Sequence, residues 1–225
     1  MPSAILQTSG ISKVFGEGRN RVVALDEATL ALDQGEVLLI MGPSGSGKTT
    51  LLSVMGCILR PTRGRVIVAG QDVSELGEDV LPDIRRHYFG FVFQAFNLFA
   101  TLTAQENVGV LLRMKGVAKE SIAGQSGVLL ERVGLGHRAH AYPREMSGGE
   151  KQRTALARAL AGEPPIVLAD EPTANLDSKT SRQVLTLLHE LAEEAGKAVA
   201  IVSHDPKAED FAHRVIVIED GRLRT

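Results

Sequence analysis

The sequence predicts an α/β protein: a sheet core flanked by helices and interrupted by a helical insertion. Three features predict it. Val37–Met41 is a short apolar, β-rich run that enters a glycine-rich loop, and a helix follows through Thr50 to Met55. From Asn97 to about Gly162 the texture turns helical. Beyond Pro164-Pro165, short apolar runs return at 166–169, 198–203 and 214–218.

The elements follow in chain order. Residues 65–69 read as a strand closed by Gly70. Residues 89–94 set Phe89, Phe91 and Phe93 against Gly90, Val92 and Gln94, a period-two strand ending on an amide. Helices are expected at 104–114, 121–133 and 150–161, with Gly124 and Gly127 each weakening the second by about 1 kcal/mol. Residues 178–194 form an amphipathic helix with Val184, Leu187, Leu188 and Leu191 on one stripe. Asp220-Gly221 is a turn after the last expected strand. No repeat, low-complexity tract or flexible linker interrupts the 225 residues.

Composition narrows the function. The apolar fraction of 44% is that of an ordinary globular domain, and a formal charge of −2 argues against a nucleic-acid partner. No run reaches the roughly 18 apolar residues of a membrane span. Met1-Pro2-Ser3-Ala4 lacks the basic-then-hydrophobic pattern of a secretory signal, so a cytoplasmic location is expected, with any membrane role acting through a partner. The single Cys57 excludes an internal disulfide and reads as a small core residue.

The chemistry concentrates in two anion sites and one acidic pair. Gly42-Pro43-Ser44-Gly45-Ser46-Gly47-Lys48-Thr49 fits the phosphate-loop pattern completely. Its backbone N–H groups would converge on phosphates, Lys48 would neutralise the β- and γ-phosphates, and Thr49 would offer a hydroxyl to Mg²⁺. Asp170-Glu171 ends the apolar run 166–169. Alone it would be a solvated strand end. Beside a phosphate loop, Asp170 becomes a holder of Mg²⁺, directly or through water, and Glu171 the group that orients and deprotonates water. His204, at the end of the next strand, is either structural or a sensor of the γ-phosphate. Ser147-Gly148-Gly149, opening a helix, is a second anion site that one nucleotide does not need. A split active site completed by a second copy explains it.

Six of the nine aromatic residues, Tyr88, Phe89, Phe91, Phe93, Phe96 and Phe99, lie between 88 and 99. Phe89, Phe91 and Phe93 are expected in the core. Phe96 and Phe99, past the strand, either pack likewise or form an apolar docking cleft.

With these residues in place, the whole chain resembles the nucleotide-binding subunit of an ATP-binding-cassette (ABC) transporter. Gly42 to Thr49 matches that family's Walker A loop, Gln94 its Q-loop, Ser147 to Gln152 its signature sequence and Ile166 to Glu171 its Walker B. Ala174-Asn175-Leu176-Asp177 matches the D-loop and His204 the switch histidine. Met146 and Glu150 stand where the family more often has Leu and Gln. The stretches Gly90-Phe91-Val92-Phe93-Gln94, Asn97-Leu98 and Thr103-Ala104-Gln105-Glu106-Asn107-Val108 are similar to the lipoprotein-releasing, macrolide-export and cell-division branch.

The resemblance implies a P-loop NTPase core, a RecA-like, mostly parallel sheet flanked by helices, with an N-terminal antiparallel β subdomain and an inserted α-helical subdomain. It implies one domain over 1–225, the nucleotide-binding core at about 1–96 and 163–225 and the helical subdomain at about 97–162. ATP and Mg²⁺ are the implied cofactors. Phe15 would stack on adenine; Thr50 and Asp177 join the phosphate loop and Ser147, Gly148 and Gly149 in binding nucleotide. Gln94 would join Thr49 and Asp170 at Mg²⁺, and Glu171, His204, Gln94 and Lys48 form the catalytic set. Two copies would close head to tail on two ATP molecules, a homodimer being favoured over a pair with a related ATPase. An integral membrane permease would dock near Gln94 to Phe99, holding the chain on the cytoplasmic face of the inner membrane. The alternatives are a cell-division ATPase that signals through a membrane partner and, from another class, a cassette ATPase acting on DNA or ribosomes.

Overall fold

The protein is described here from a computed structural model covering residues 4–224. Two long strands, β1 (Ala4–Phe15) and β2 (Val22–Asp33), pair antiparallel, and β4 (Arg63–Val68) and β5 (Gln71–Asp72) extend them into a four-stranded sheet ordered β2-β1-β4-β5. The second sheet has six strands: β3 (Val37–Met41), β6 (Phe89–Val92), β7 (Ile166–Asp170), β8 (Ala198–Val202), β9 (Arg214–Glu219) and β10 (Arg222–Arg224), ordered β10-β9-β3-β8-β7-β6. Neighbours from β9 through β6 are parallel, and only β10 runs antiparallel, in a hairpin on β9.

The parallel strands are apolar on both faces because both are covered. Leu38, Ile40, Ile166, Leu168, Ala198 and Ala200 face the antiparallel sheet and the helices α1 (Lys48–Met55) and α2 (Leu81–Tyr88) in one core. Their neighbours Val37, Leu39, Val167, Ala169, Val199 and Ile201 face a second core. That core takes in α3 (Ala104–Met114), α4 (Lys119–Arg132), α5 (Gly148–Ala159) and α6 (Ser178–Glu193). A one-residue shift in any central strand would exchange the two sets.

The α/β fold and its helical insertion agree with the sequence expectation, and the boundaries show what overrode local signals. The strand expected over 89–94 stops at Val92, because its last partner on β7 is Ala169; Phe93 then accepts the Phe96 N–H in a turn. The helix expected from 121 begins at Lys119 and contains Gly124 and Gly127, on faces where an added Cβ would meet nothing. The helix expected from 150 begins at Gly148, since Ser147 closes a capping box with Glu150. The Phe89 ring is buried and Phe91 packs against the first core. Phe93 does not join the core: it is half-buried on the wall of an open groove.

Candidate nucleotide site

The C-terminal ends of β3, β8 and β7 lie side by side, so one sheet edge presents the phosphate loop, Ser203-His204 and Asp170-Glu171. This is where ligands bind in open α/β sheets. The loop geometry needs glycine at two points. Gly42 has φ 154°, and a Cβ there would lie 2.2 Å from the Ile218 carbonyl oxygen; at Gly47, φ 104°, it would lie 2.3 Å from the Ala24 oxygen. Gly47 is followed directly by α1, whose first N–H groups point back into the loop.

Lys48 is 7% exposed, and its Nζ donates to the Gly42 and Pro43 carbonyls at 2.8 Å each. The ammonium is thus held against the loop by neutral acceptors, which an arriving phosphate outcompetes electrostatically. Thr49 Oγ1 donates to Asp170 Oδ1 at 3.1 Å. This pair joins the start of α1 to the end of β7, residues 121 positions apart. Both are hard oxygen donors, the set that suits Mg²⁺. Burial, the largest influence, pushes the Asp170 carboxyl above the ordinary aspartate range, and the adjacent Glu171 adds to it; Thr49 and Lys48 pull the other way.

Glu171 stands at φ 47°, a left-handed conformation in which its N–H donates to the Val202 carbonyl at 2.9 Å. That bond ties the carboxylate to the end of β8. His204 Nδ1 lies 2.8 Å from Glu171 Oε1, and both residues line an open cavity of about 330 Å³ with Thr173, Ser178 and Lys207.

Ser147 lies on the other core's helices. Its Oγ accepts the Glu150 N–H at 3.2 Å, while its own N–H donates to Glu150 Oε2 at 2.8 Å. The Ser147 hydroxyl also bonds the Glu150 carboxylate, so an outside acceptor would compete for its proton. Glu150 therefore has a local function where the family more often has Gln: it completes the cap and pairs with Arg138 at 3.0 Å. These contacts, with the Ser147 N–H foremost, hold its carboxyl below the usual glutamate range. The neighbours of Gly148 and Gly149 are Asn175 and Leu176, just before α6, and Thr180 in its first turn.

Other expected site residues sit as follows. Phe15, 40% exposed at the end of β1, has Lys13 Nζ 5.3 Å from its ring centroid. Ser44, Gly45 and Thr50 lie in or just after the loop; Ser46 Oγ is buried with no hydrogen-bond partner and lies close to Gly42. Gln94 is exposed just beyond β6. Asp177 is the N-cap of α6, accepting the Lys179 and Thr180 N–H groups at 3.0 Å and the Thr180 hydroxyl at 2.6 Å. Its carboxylate is committed to that helix end, a role that Asp177-Ser178-Lys179-Thr180 could have signalled.

A groove of about 450 Å³ opens where β6 meets α2, α3 and α5. Phe91, Phe93, Phe99, Leu111 and Met114 line it, and Phe99 is 50% exposed. Phe96 does not line it, which divides the expected pair: Phe99 faces the groove, whereas Phe96 is placed by its backbone. Lys115 is another of its lining residues, its Nζ buried without a hydrogen-bond partner, and burial lowers its pKa to about 8. Sequence reasoning missed Lys115, and nothing in its local pattern distinguishes it from a surface lysine.

His189, Glu193 and His213 bring three ligand-type atoms within 4.8 Å of one another. The Val37 N–H donates to His213 Nδ1 at 2.9 Å, which leaves the ring proton on Nε2, facing Glu193 Oε1 at 2.6 Å. A cation there would have to displace that proton, so the trio reads as a fastener between α6 and β9.

A phosphate loop, a strand-end acidic pair and a capped second anion site on an inserted helix define a P-loop ATPase domain. The family model described as ABC transporter matches residues 25–174, and the chain belongs to that family. It is 42% identical over 223 residues to the macrolide export ATP-binding/permease protein MacB of Hyphomonas neptunium, covering 99% of this chain and 34% of that protein. It is 42% identical to an uncharacterised ABC transporter ATP-binding protein of Thermotoga maritima, covering 97% and 93%. The dimeric, post-hydrolysis structure of the ATP-binding cassette MJ0796 with ADP and Pi superposes with a TM-score of 0.91 at 41% identity, covering 98% of this chain and 97% of that one. The chain spans about a third of the length of the macrolide-export relatives.

Proposed function

We propose that this chain is the ATP-hydrolysing subunit of an export-type transporter. Two copies close on ATP and drive a separate membrane permease docked in the Phe93–Phe99 groove. The observation that carries the reading is the edge shared by Lys48, Thr49–Asp170 and Glu171–His204. It sets a phosphate cradle, a hard-oxygen pair and a positioned carboxylate at the ends of three neighbouring parallel strands.

In this mechanism the Gly42-to-Thr49 amides and Lys48 bind the β- and γ-phosphates, and Phe15 stacks against the base. Thr49 and Asp170, with Gln94, are the residues that would hold Mg²⁺, which when bound offsets charge on the phosphates. Glu171 accepts the proton of the attacking water, and His204, donating from Nδ1, fixes that carboxylate. Ser147, Gly148 and Gly149 of the second copy donate to the γ-phosphate from the far side. Hydrolysis severs the γ-phosphate from ADP; once that phosphate leaves, the charge that both copies share is gone and they part. Asp177 contributes by capping α6, against which Gly149 packs.

The docked segment is apolar and carries a carboxylate, since Arg85, Arg86 and Lys115 line the groove with no acidic side chain among its walls. Among the described residues no helix is long and apolar enough to cross a membrane. Attachment to the cytoplasmic face through that permease belongs to the same proposal. Phosphate release from the purified chain with Mg-ATP tests the reading. Specific activity should rise with protein concentration as copies pair. A specific activity flat across a hundredfold dilution series that spans the monomeric range, confirmed by light scattering, would show that one copy suffices.

A further inference from the structure

The Ser147 end of α5 holds a negative charge of its own. Glu150, in the first turn of that helix, accepts the Ser147 N–H on Oε2 at 2.8 Å, and its carboxylate also takes the Ser147 hydroxyl proton. A carboxylate is favourable at a helix N-terminus for the same reason that an external anion is, because both draw on the first N–H groups and the helix dipole. The two therefore compete. A phosphate arriving at Ser147 meets a like charge, and a hydroxyl whose proton is already engaged.

Arg138 offsets that charge. It ends a short 3-10 turn, Gly136–Arg138, and its Nε lies 3.0 Å from Glu150 Oε1, a charge contact whose N–H is poorly aligned on the oxygen. Its Nη2 donates to the Glu145 carbonyl at 2.5 Å, which fixes the guanidinium from the backbone just before Ser147. The cation thus faces one carboxylate oxygen and leaves the other to the helix cap. Among the described residues Arg138 is the one cation in ion-pair contact with Glu150.

We propose that Arg138 is a positioning residue of the split site: it neutralises Glu150, so that a half-site capped by its own carboxylate can still accept the γ-phosphate bound to another copy. Without Arg138 the bare carboxylate would repel that phosphate and hold the Ser147 proton more tightly. A closed pair contains two such half-sites, so the loss counts twice. The inference rests on the ATP-closed pair proposed above.

A double-mutant cycle in a Glu171→Gln parent tests it, with pairing in Mg-ATP read by light scattering over a protein dilution series. The variants are Arg138→Met, Glu150→Gln and the two combined. Methionine removes the charge, and glutamine at this position still accepts the Ser147 N–H. With Glu150 present, Arg138→Met should weaken pairing about 100-fold, about tenfold for each half-site. That deficit should shrink when KCl is raised from about 0.05 M to about 0.5 M. With Glu150→Gln in place, the same substitution should change pairing by less than about threefold, since no charge is left to neutralise. If Arg138 is only a strut for the Glu145 carbonyl, the loss is equal in both backgrounds, and that result overturns the inference. Pairing of Arg138→Met as tight as the parent's overturns it as well. A parent that stays monomeric refutes the closed pair itself and this inference with it. Arg138→Gln, which can still donate to the Glu145 carbonyl, serves if methionine does not fold, and the same rescue is expected.

Discussion

His204 Nδ1 lies 2.8 Å from Glu171 Oε1, across two neighbouring parallel strands. The contact pairs an exposed imidazole with a carboxylate that is largely covered, their side chains 64% and 13% exposed. The backbone does the placing. Glu171 turns left-handed to bond Val202, and His204 follows Val202 by two residues, so strand register sets the pair.

Removing the imidazole should therefore misplace the carboxylate rather than the nucleotide. His204→Ala is expected to lower kcat about 10- to 100-fold with little change in ATP affinity. Phosphate release and nucleotide binding, measured on the same preparation, separate the two. A proportionate loss of affinity would assign His204 to binding.

Asp170 carries its charge at a cost in the nucleotide-free protein, since burial and Glu171 raise its pKa. A raised folded-state pKa means that the folded chain holds a proton the unfolded chain has released. Stability from this group is complete below the ordinary value of 3.8 and falls as pH rises through the folded value. Asp170→Asn, a mimic of the protonated form, should raise the nucleotide-free melting temperature at neutral pH while abolishing Mg-dependent turnover. A lowered melting temperature would mean that the Thr49 bond outweighs the burial.

Cys57 is buried, and its thiol is pushed up to about 11 from 9.0 by burial. The thiolate fraction at pH 8 is then about a hundredfold below that of a free cysteine. Iodoacetamide should label the native chain at least that much more slowly than the denatured one. Comparable rates would show that the loop after α1 opens readily.

Gly47 permits a similar test of the loop. Gly47→Ala places a Cβ 2.3 Å from the Ala24 oxygen at φ 104°. A destabilisation of about 2 kcal/mol or more is expected, visible in urea denaturation with or without nucleotide. An unaltered midpoint would show that β2 yields at Ala24.

The core strands and the two anion motifs were legible in the sequence because buried parallel strands and phosphate loops are local patterns. Val37–Met41 and the glycines after it need no distant partner to be recognised. Strands β1 and β2 were not delineated: register shifts near Gly10 and Glu27 break their alternation, and only the pairing of one with the other restores it. Helix α2 was missed for a related reason. It buries only Leu81 and Ile84 and shows Arg85, Arg86 and His87 to the outside. The groove was only half legible. Phe93, expected in the core, lines the groove, and Phe96 does not, because β6 stops pairing with β7 at Val92, which no periodicity in 89–96 reveals. Asp177 carries a motif that implies nucleotide contact, and in the fold its carboxylate also caps α6, which the motif alone does not reveal.

The central claim is that Ser147 completes a site begun by Lys48 on another copy. Light scattering of Glu171→Gln with Mg-ATP, alone and combined with Ser147→Arg, tests it most directly. The account predicts a stable dimer for Glu171→Gln, and a monomer that still binds ATP once Ser147→Arg is added. An ATP-dependent dimer that survives Ser147→Arg would contradict it.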